Sequence, residues 1–154
     1  MLKPLLLAVL AALPFAAAAQ SPEPDPSVAA WMAAPEEPLD AAGVDLDAFR
    51  WLARPVVVFA DSPNDPAFAD QMALLADRVD ELVSRDVVVI YDTDPGTPSD
   101  ARLRLRPRGF MLALVGKDGQ LKLRKPQAWD VRELSRSIDK MPMRQREIEE
   151  RRGS

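Results

Sequence analysis

Hydrophobic positions along the chain fall into two patterns, short unbroken runs and stripes at steps of three and four. Pro55 to Ala60 (PVVVFA) is an unbroken, β-branched run followed by the turn-rich Asp61-Ser62-Pro63-Asn64-Asp65, as expected of a strand buried on both faces. Asp65 stands where a helix N-cap belongs, and Pro66 takes the first helical position, where its missing N–H costs nothing. Phe68, Met72, Leu75, Val79 and Leu82 then recur on one face, which predicts a helix running to about Ser84. Asp86 to Asp92 (DVVVIYD) repeats the buried-strand pattern, and a helical crossover between two such strands makes them parallel neighbours.

Further on, Asp94-Pro95-Gly96 ends the second strand, Ser99 can cap a short helix from Asp100 to about Arg104, and Pro107 to Gly109 breaks the chain again. Phe110 to Val115 and Gln120 to Arg124 flank Gly116-Lys117-Asp118-Gly119, a hairpin signal that would turn Leu121 and Leu123 inward and Lys122 and Arg124 to water. From Asp130 a helix with Val131, Leu134 and Ile138 inward ends at Lys140. The order β-α-β-α-β-β-α predicts an α/β fold, a thioredoxin-like three-layer sandwich with a central mixed sheet.

Outside residues 46–140 the patterns weaken. Gln20 to Asp45 is rich in Pro, Ala and acid with no sustained apolar period, and reads as a flexible linker with a local contact by Trp31. Residues 141–154 form a charged tail, with Arg144, Arg146, Glu147, Glu149, Glu150 and Arg151 at helical spacings, which predicts an exposed terminal helix. Residues 1–19 read as a signal peptide: Lys3 is followed by an apolar stretch from Leu5 to Phe15 and by small residues at Ala17 to Ala19, placing cleavage after Ala19. That stretch is too short to span a bilayer. The expectation is an exported chain, periplasmic in a Gram-negative cell, without stable membrane insertion once the signal is removed.

Composition narrows the chemistry sharply, because the chain contains no cysteine and no histidine. Disulfides, thiol nucleophiles, thiolate metal sites and the usual imidazole base are all excluded, and with them thiol-disulfide exchange and peroxidase chemistry. Charge is uneven: positions 20–100 hold 4 basic and 17 acidic residues, positions 101–154 hold 15 basic and 7 acidic. Either the two halves neutralise each other within one domain, or one face is left for an anionic partner.

Three segments together resemble a known family. They are Phe49-Arg50-Trp51-x-x-Arg54-Pro55-Val56-Val57-Val58-Phe59-Ala60, Gly116-Lys117-Asp118-Gly119-x-x-Lys122 and Met141-Pro142-Met143-Arg144-Gln145. They resemble a thioredoxin-like, peroxiredoxin-like domain-of-unknown-function family of exported bacterial proteins, whose domain also occurs in vertebrate sushi-repeat-containing and coiled-coil-domain-containing extracellular proteins. The resemblance covers about residues 46–152 and implies the fold and an exported location, with no agreed activity. Arg108-Gly109-Phe110 is similar to the peroxiredoxin segment in which an arginine supports the active site. The loop where those enzymes keep their reactive cysteine here reads Asp61 to Asp65.

Candidate binding residues follow from that placement. Asp61, Ser62, Asn64 and Asp65 would lie near Arg106 and Arg108, forming either a pocket for a small anion or a helix cap with an ion pair at the sheet edge. Arg102, Arg104, Arg106 and Arg108 recur at every second position; an extended segment would align them in a ridge, while a helix would scatter them. Asp61, Asp92 and Asp94 could offer oxygen ligands to a hard cation, but they lack the glycine and bidentate glutamate of a calcium loop and read as solvated turn acids. Met141 and Met143, with Met111, could offer thioethers to copper, but two methionines around a proline read first as apolar anchors. The expectation is therefore no cofactor, no metal and no nucleic acid. The function expected is that of a non-catalytic binding or interaction module whose partner is a protein or another anionic envelope component. The alternative is a small-anion-binding protein or cofactor-independent enzyme centred on Asp61, Asp65 and Arg108.

Overall fold

The unbroken apolar runs become the middle of a five-stranded sheet. In the computed structural model, which describes residues 21–154, strand β2 (Arg54–Phe59) is buried at all six positions and pairs in parallel with β3 (Val87–Asp92), Val56 opposite Val89. The segment read as a signal peptide lies outside the described residues. On its other side β2 meets β4 (Met111–Val115) antiparallel, with Phe59 opposite Met111, and β4 continues into β5 (Leu121–Lys125) through the glycine turn, where Gly119 has φ +80°. A short β1 (Leu39–Asp40) pairs in parallel with β3, giving the order β1-β3-β2-β4-β5.

Strand alternation divides the core between the two faces of the sheet. Val57, Phe59, Val88, Ile90 and Ala113 point to one side and pack against α1 (Pro26–Ala33), the 3₁₀ turn at Leu46–Phe49 and α4 (Asp100–Leu105). Val56, Val58, Val89, Leu112 and Leu114 point to the other and receive Leu75 of α2 (Pro66–Asp77), Leu82 of α3 (Val79–Val83), and Val131, Leu134 and Ile138 of α5 (Val131–Asp139). This is the expected thioredoxin-like three-layer sandwich with a mixed central sheet.

Four local features differ from the sequence reading. Residues 20–45 do not run as a featureless linker: Asp25 accepts a hydrogen bond from Ser27 N, Pro26 opens α1, Val28, Ala41 and Val44 are buried, and Trp31 meets Phe49 edge-on at 6.2 Å. Here proline starts a helix, as Asp65-Pro66 does for α2. The long helix predicted to Ser84 breaks at Arg78, whose φ of −128° and ψ of 36° leave helical space. Gln71, a polar residue beside the apolar stripe, is fully buried and clamps the loop before α5 by exchanging hydrogen bonds with Trp129 N and O. A register shift at Leu114/Val115 turns Leu121 outward, 38% exposed, while Leu123 still packs on the core.

A fifth difference lies in α6 (Pro142–Arg152), which docks rather than standing free. Arg144 is buried and Ile148 half-buried. Glu147 reaches Arg54, whose side chain is 1% exposed at the start of β2, with both carboxylate oxygens, at 3.0 and 3.3 Å. The same carboxylate receives Lys117 Nζ at 2.8 Å and Arg144 at 3.3 Å, and Arg54 also donates to Arg85 O. Burial alone would raise the Glu147 pKa and is the largest single influence on it, but hydrogen bonds and charge from Lys117 and Arg54 outweigh it and bring it from 4.5 to about 2. A carboxyl whose folded pKa lies below its unfolded one contributes stability that is complete above the unfolded value and is lost as pH falls through the folded one. Unfolding free energy should therefore drop between about pH 4.5 and 2, with Glu147 contributing roughly 3 kcal/mol of the fall, to which Asp92 and Asp139, also depressed, add in the same direction. Denaturant titrations should show this dependence reduced by Glu147→Gln, by roughly the 3 kcal/mol assigned to that carboxyl. An unchanged acid slope in the variant would contradict the assignment.

Candidate functional site

In this topology the loop after β2 and the entry to β4 share one end of the sheet, the end where thioredoxin-like chemistry would reside. Directly behind the loop lies Arg102, projected from α4 and 9% exposed. Its Nη2 donates to Ala60 O at 2.8 Å, Asp92 O at 3.1 Å and Asp92 Oδ1 at 2.8 Å, while Nε reaches the same Oδ1 at 3.1 Å. Ser99 Oγ donates to Asp92 Oδ2 at 2.5 Å and accepts from Arg102 N, so one hydroxyl caps α4 and steadies the carboxylate. Burial is the largest single influence on Asp92 and opposes its charge; the hydrogen bonds from Arg102, Ser99 and the Asp94 N–H prevail, and its carboxyl titrates below the usual aspartate range. The guanidinium also lies 5.5 Å from the Phe59 ring centroid. A neutralised, sealed pair thus fills the ground beneath Asp61 to Asp65.

The predicted loop residues are occupied with local structure. Asp65 accepts from Ala67 N at 2.8 Å and caps α2, Ser62 Oγ accepts from Asn64 N at 3.1 Å, and Asn64 itself is exposed. Asp61 is 3.7 Å from Arg102 Nη1, so the cation nearest this loop is Arg102 rather than Arg108. Asp94 closes its own turn through Gly96 N and Thr97 N. Asp92, expected as a solvated turn acid, is instead buried and paired, and among the described residues no group of three or more carboxylates gathers as a metal site. Met111 lies at the opposite end of β4 from the hairpin turn and from Met141 and Met143, so the three thioethers do not meet.

The alternating arginines do not form a ridge either, because α4 takes up the first two of them. Arg102 turns inward, Arg104 outward to Asp47 at 3.0 Å and Gly119 O at 2.6 Å, and Arg106 ends the helix in the left-handed region at φ 51°. Arg106 and Arg108 instead meet two cations of β5, Arg124, which the sequence reading turns to water, and Lys125, which it does not single out. Together with Phe110, Met111 and Pro126 they line an open cleft of about 410 Å³. Arg124 is held by Leu105 O and lies 3.7 Å from Met111 Sδ, and Lys125 sits 4.5 Å from the Trp129 ring centroid. No carboxylate lines the cleft, and none of its four cations makes an ion pair among the described residues. The sequence signal for Arg124 and Lys125 was strand alternation across the hairpin, which brings the end of β5 beside the start of β4.

The fold and the cysteine-free loop define a thioredoxin-like domain without thiol chemistry. The chain belongs to the family described as domain of unknown function DUF4174, which matches residues 45–147. Among solved structures, the chain is similar to an N-terminally modified Prx1a of Plasmodium yoelii, at 18% identity and a TM-score of 0.47, over 62% of this chain and 77% of that one. It is also similar to thioredoxin peroxidase I of the same organism, at 17% identity and a TM-score of 0.46, over 62% and 76%. No curated protein matches it.

Buried and exposed ion pairs here should respond very differently to truncation. Arg102→Ala leaves Asp92 charged and unpaired and should cost about 3–5 kcal/mol. Arg136→Ala removes an exposed pair with Glu133 and should cost less than about 1 kcal/mol. Denaturant unfolding of the two variants measures the difference; equal losses would remove the structural role of the Arg102–Asp92 pair.

Proposed function

We propose that this chain is an exported, non-catalytic binding module of the cell envelope that uses the Arg106, Arg108, Arg124 and Lys125 cleft to receive an acidic segment of a partner protein. The observation that supports this reading is the gathering of four cations, none in an ion pair among the described residues, around one cleft that no carboxylate lines. Phe110, Met111 and Pro126 give such a segment an apolar floor, so its acids would flank a hydrophobic side chain. Export rests on the leader-like residues 1–19. No helix among the described residues is long and apolar enough to cross a membrane. The alternative, a small-anion or enzymatic site built on Asp61, Asp65 and Arg108, has less support, since Asp65 is a helix cap and Asp61 faces Arg102.

Crosslinking of the native protein in its cell, followed by partner identification, tests the reading. The captured chain should begin at Gln20, and the double substitution Arg106→Glu with Arg108→Glu should remove the acidic partner at least tenfold while leaving the fold unchanged. A partner set indifferent to that substitution would refute the cleft, and retention of Met1 would refute export.

A further inference from the structure

The outer edge of β5 runs into the cleft, which Arg124, Lys125 and Pro126 line at the strand's end. β5 is the last strand of the sheet and pairs only with β4 among the described residues. The alternation of hydrogen bonds across the ladder determines which of its backbone groups are spare. Arg54 N donates to Asp86 O and Ala60 N to Asp92 O, so Arg54, Val56, Val58 and Ala60 turn their backbone groups to β3, and Val57 and Phe59 turn theirs to β4. Ala113 and Met111 answer Val57 and Phe59; Leu112 and Leu114 therefore face β5, where Lys125 and Leu123 answer them. The N–H and C=O groups of Lys122 and Arg124 are left pointing outward. Among the described residues no hydrogen bond reaches the backbone of residues 121–125 from outside the hairpin. Pro126 holds the next outward position and ends the row of donors. The opposite edge of the sheet offers no comparable row, because β1 has only two residues.

Charge selects what this edge can accept. Lys122, Arg124 and Lys125 lie along it with no acid between them, and only Lys122 is balanced, by Asp118 of the turn. A second copy of β5 laid alongside would set cations against cations, the usual guard on an exposed edge. An acidic strand meets opposite charge instead. Arg124 turns to the face of the sheet that carries Met111 and Lys125 to the face that carries Trp129, so two consecutive acids on an extended segment would reach one cation each. We propose that the acidic partner segment binds as a sixth strand on β5, its backbone paired with Lys122 and Arg124 and two adjacent carboxylates placed on Arg124 and Lys125 at the mouth of the cleft. The inference rests on the cleft reading above and adds to it the form of the partner, an extended strand with neighbouring acids.

NMR titration and amide hydrogen exchange of the isotope-labelled full chain with the capped octapeptide acetyl-Thr-Val-Thr-Val-Glu-Asp-Phe-Glu-amide test it. Binding should slow exchange at the Lys122 and Arg124 amides at least about tenfold, and leave Leu123, already bonded to β4, unchanged. Two isomers of the peptide, each N-methylated on one alternate set of amides, separate backbone pairing from charge, because only one set faces β5. One isomer should bind like the parent and the other at least about tenfold more weakly. Absence of binding by the parent, equal binding of the isomers, or unprotected Lys122 and Arg124 amides in the bound chain would each overturn the added strand. If the isomers bind equally but Arg106→Glu with Arg108→Glu still abolishes binding, the cleft reading survives and the strand alone falls. Protection of the same amides in the free chain that rises with its concentration would assign the edge to a second copy and also overturn the proposal.

Discussion

The constraint on which the rest of the structure turns is the charge of Arg54 at the first position of the central strand. A guanidinium withdrawn from water must find a counter-ion with its hydrogen bonds largely met, or the strand cannot start there. Its partner, Glu147, lies 93 residues further along the chain, so the last helix is drawn onto the edge of the sheet and becomes part of the domain. Lys117 from the hairpin turn joins the same carboxylate, tying a third segment to the pair. A second buried pair, Arg102 with Asp92, performs the equivalent task at the other end of β3, where it closes the ground beneath the loop after β2.

These pairs also resolve the uneven charge of the chain. Of the thirteen ion pairs among the described residues, seven join the first hundred residues to the remainder, five of them an early acid to a late base and two, Arg54–Glu147 and Arg85–Asp139, the reverse. What these pairs leave over then becomes informative. Arg50, Arg132, Lys140, Arg146 and Arg152 are exposed and singly placed without an ion pair among the described residues, whereas Arg106, Arg108, Arg124 and Lys125 gather unmatched around one cleft. The missing cysteine bars thiol chemistry from that end of the sheet, and what it offers instead is positive charge around an apolar floor.

Strands β2 to β5, the caps at Asp65 and Ser99 and the hairpin turn were legible in the sequence because each depends on neighbours a few residues away, whereas β1 lay inside the segment read as a linker. Pro26 was misread because proline density resembles a linker unless the preceding Asp25 is taken as a cap. Leu121 was misread because a one-residue register shift reverses a strand's faces and leaves no mark in composition. At the candidate site, Arg106 and Arg108 were singled out because their loop was expected to face Asp61 to Asp65, but the sequence could not say that a buried Arg102 would face Asp61 instead or that Arg124 and Lys125 would join the cleft. Those outcomes depend on pairing between distant segments. The same holds for Arg54, which reads from sequence as an ordinary charged residue before a strand.

A double-mutant cycle between Arg54 and Glu147, each changed to Met, measures the pair directly through unfolding free energies. The account predicts that either single change costs about 3–5 kcal/mol, because it strands one buried charge, and that the double variant recovers most of that loss. Additive losses in the double variant would show that Glu147 does not compensate Arg54, and the ion pair could no longer be what binds α6 to the sheet.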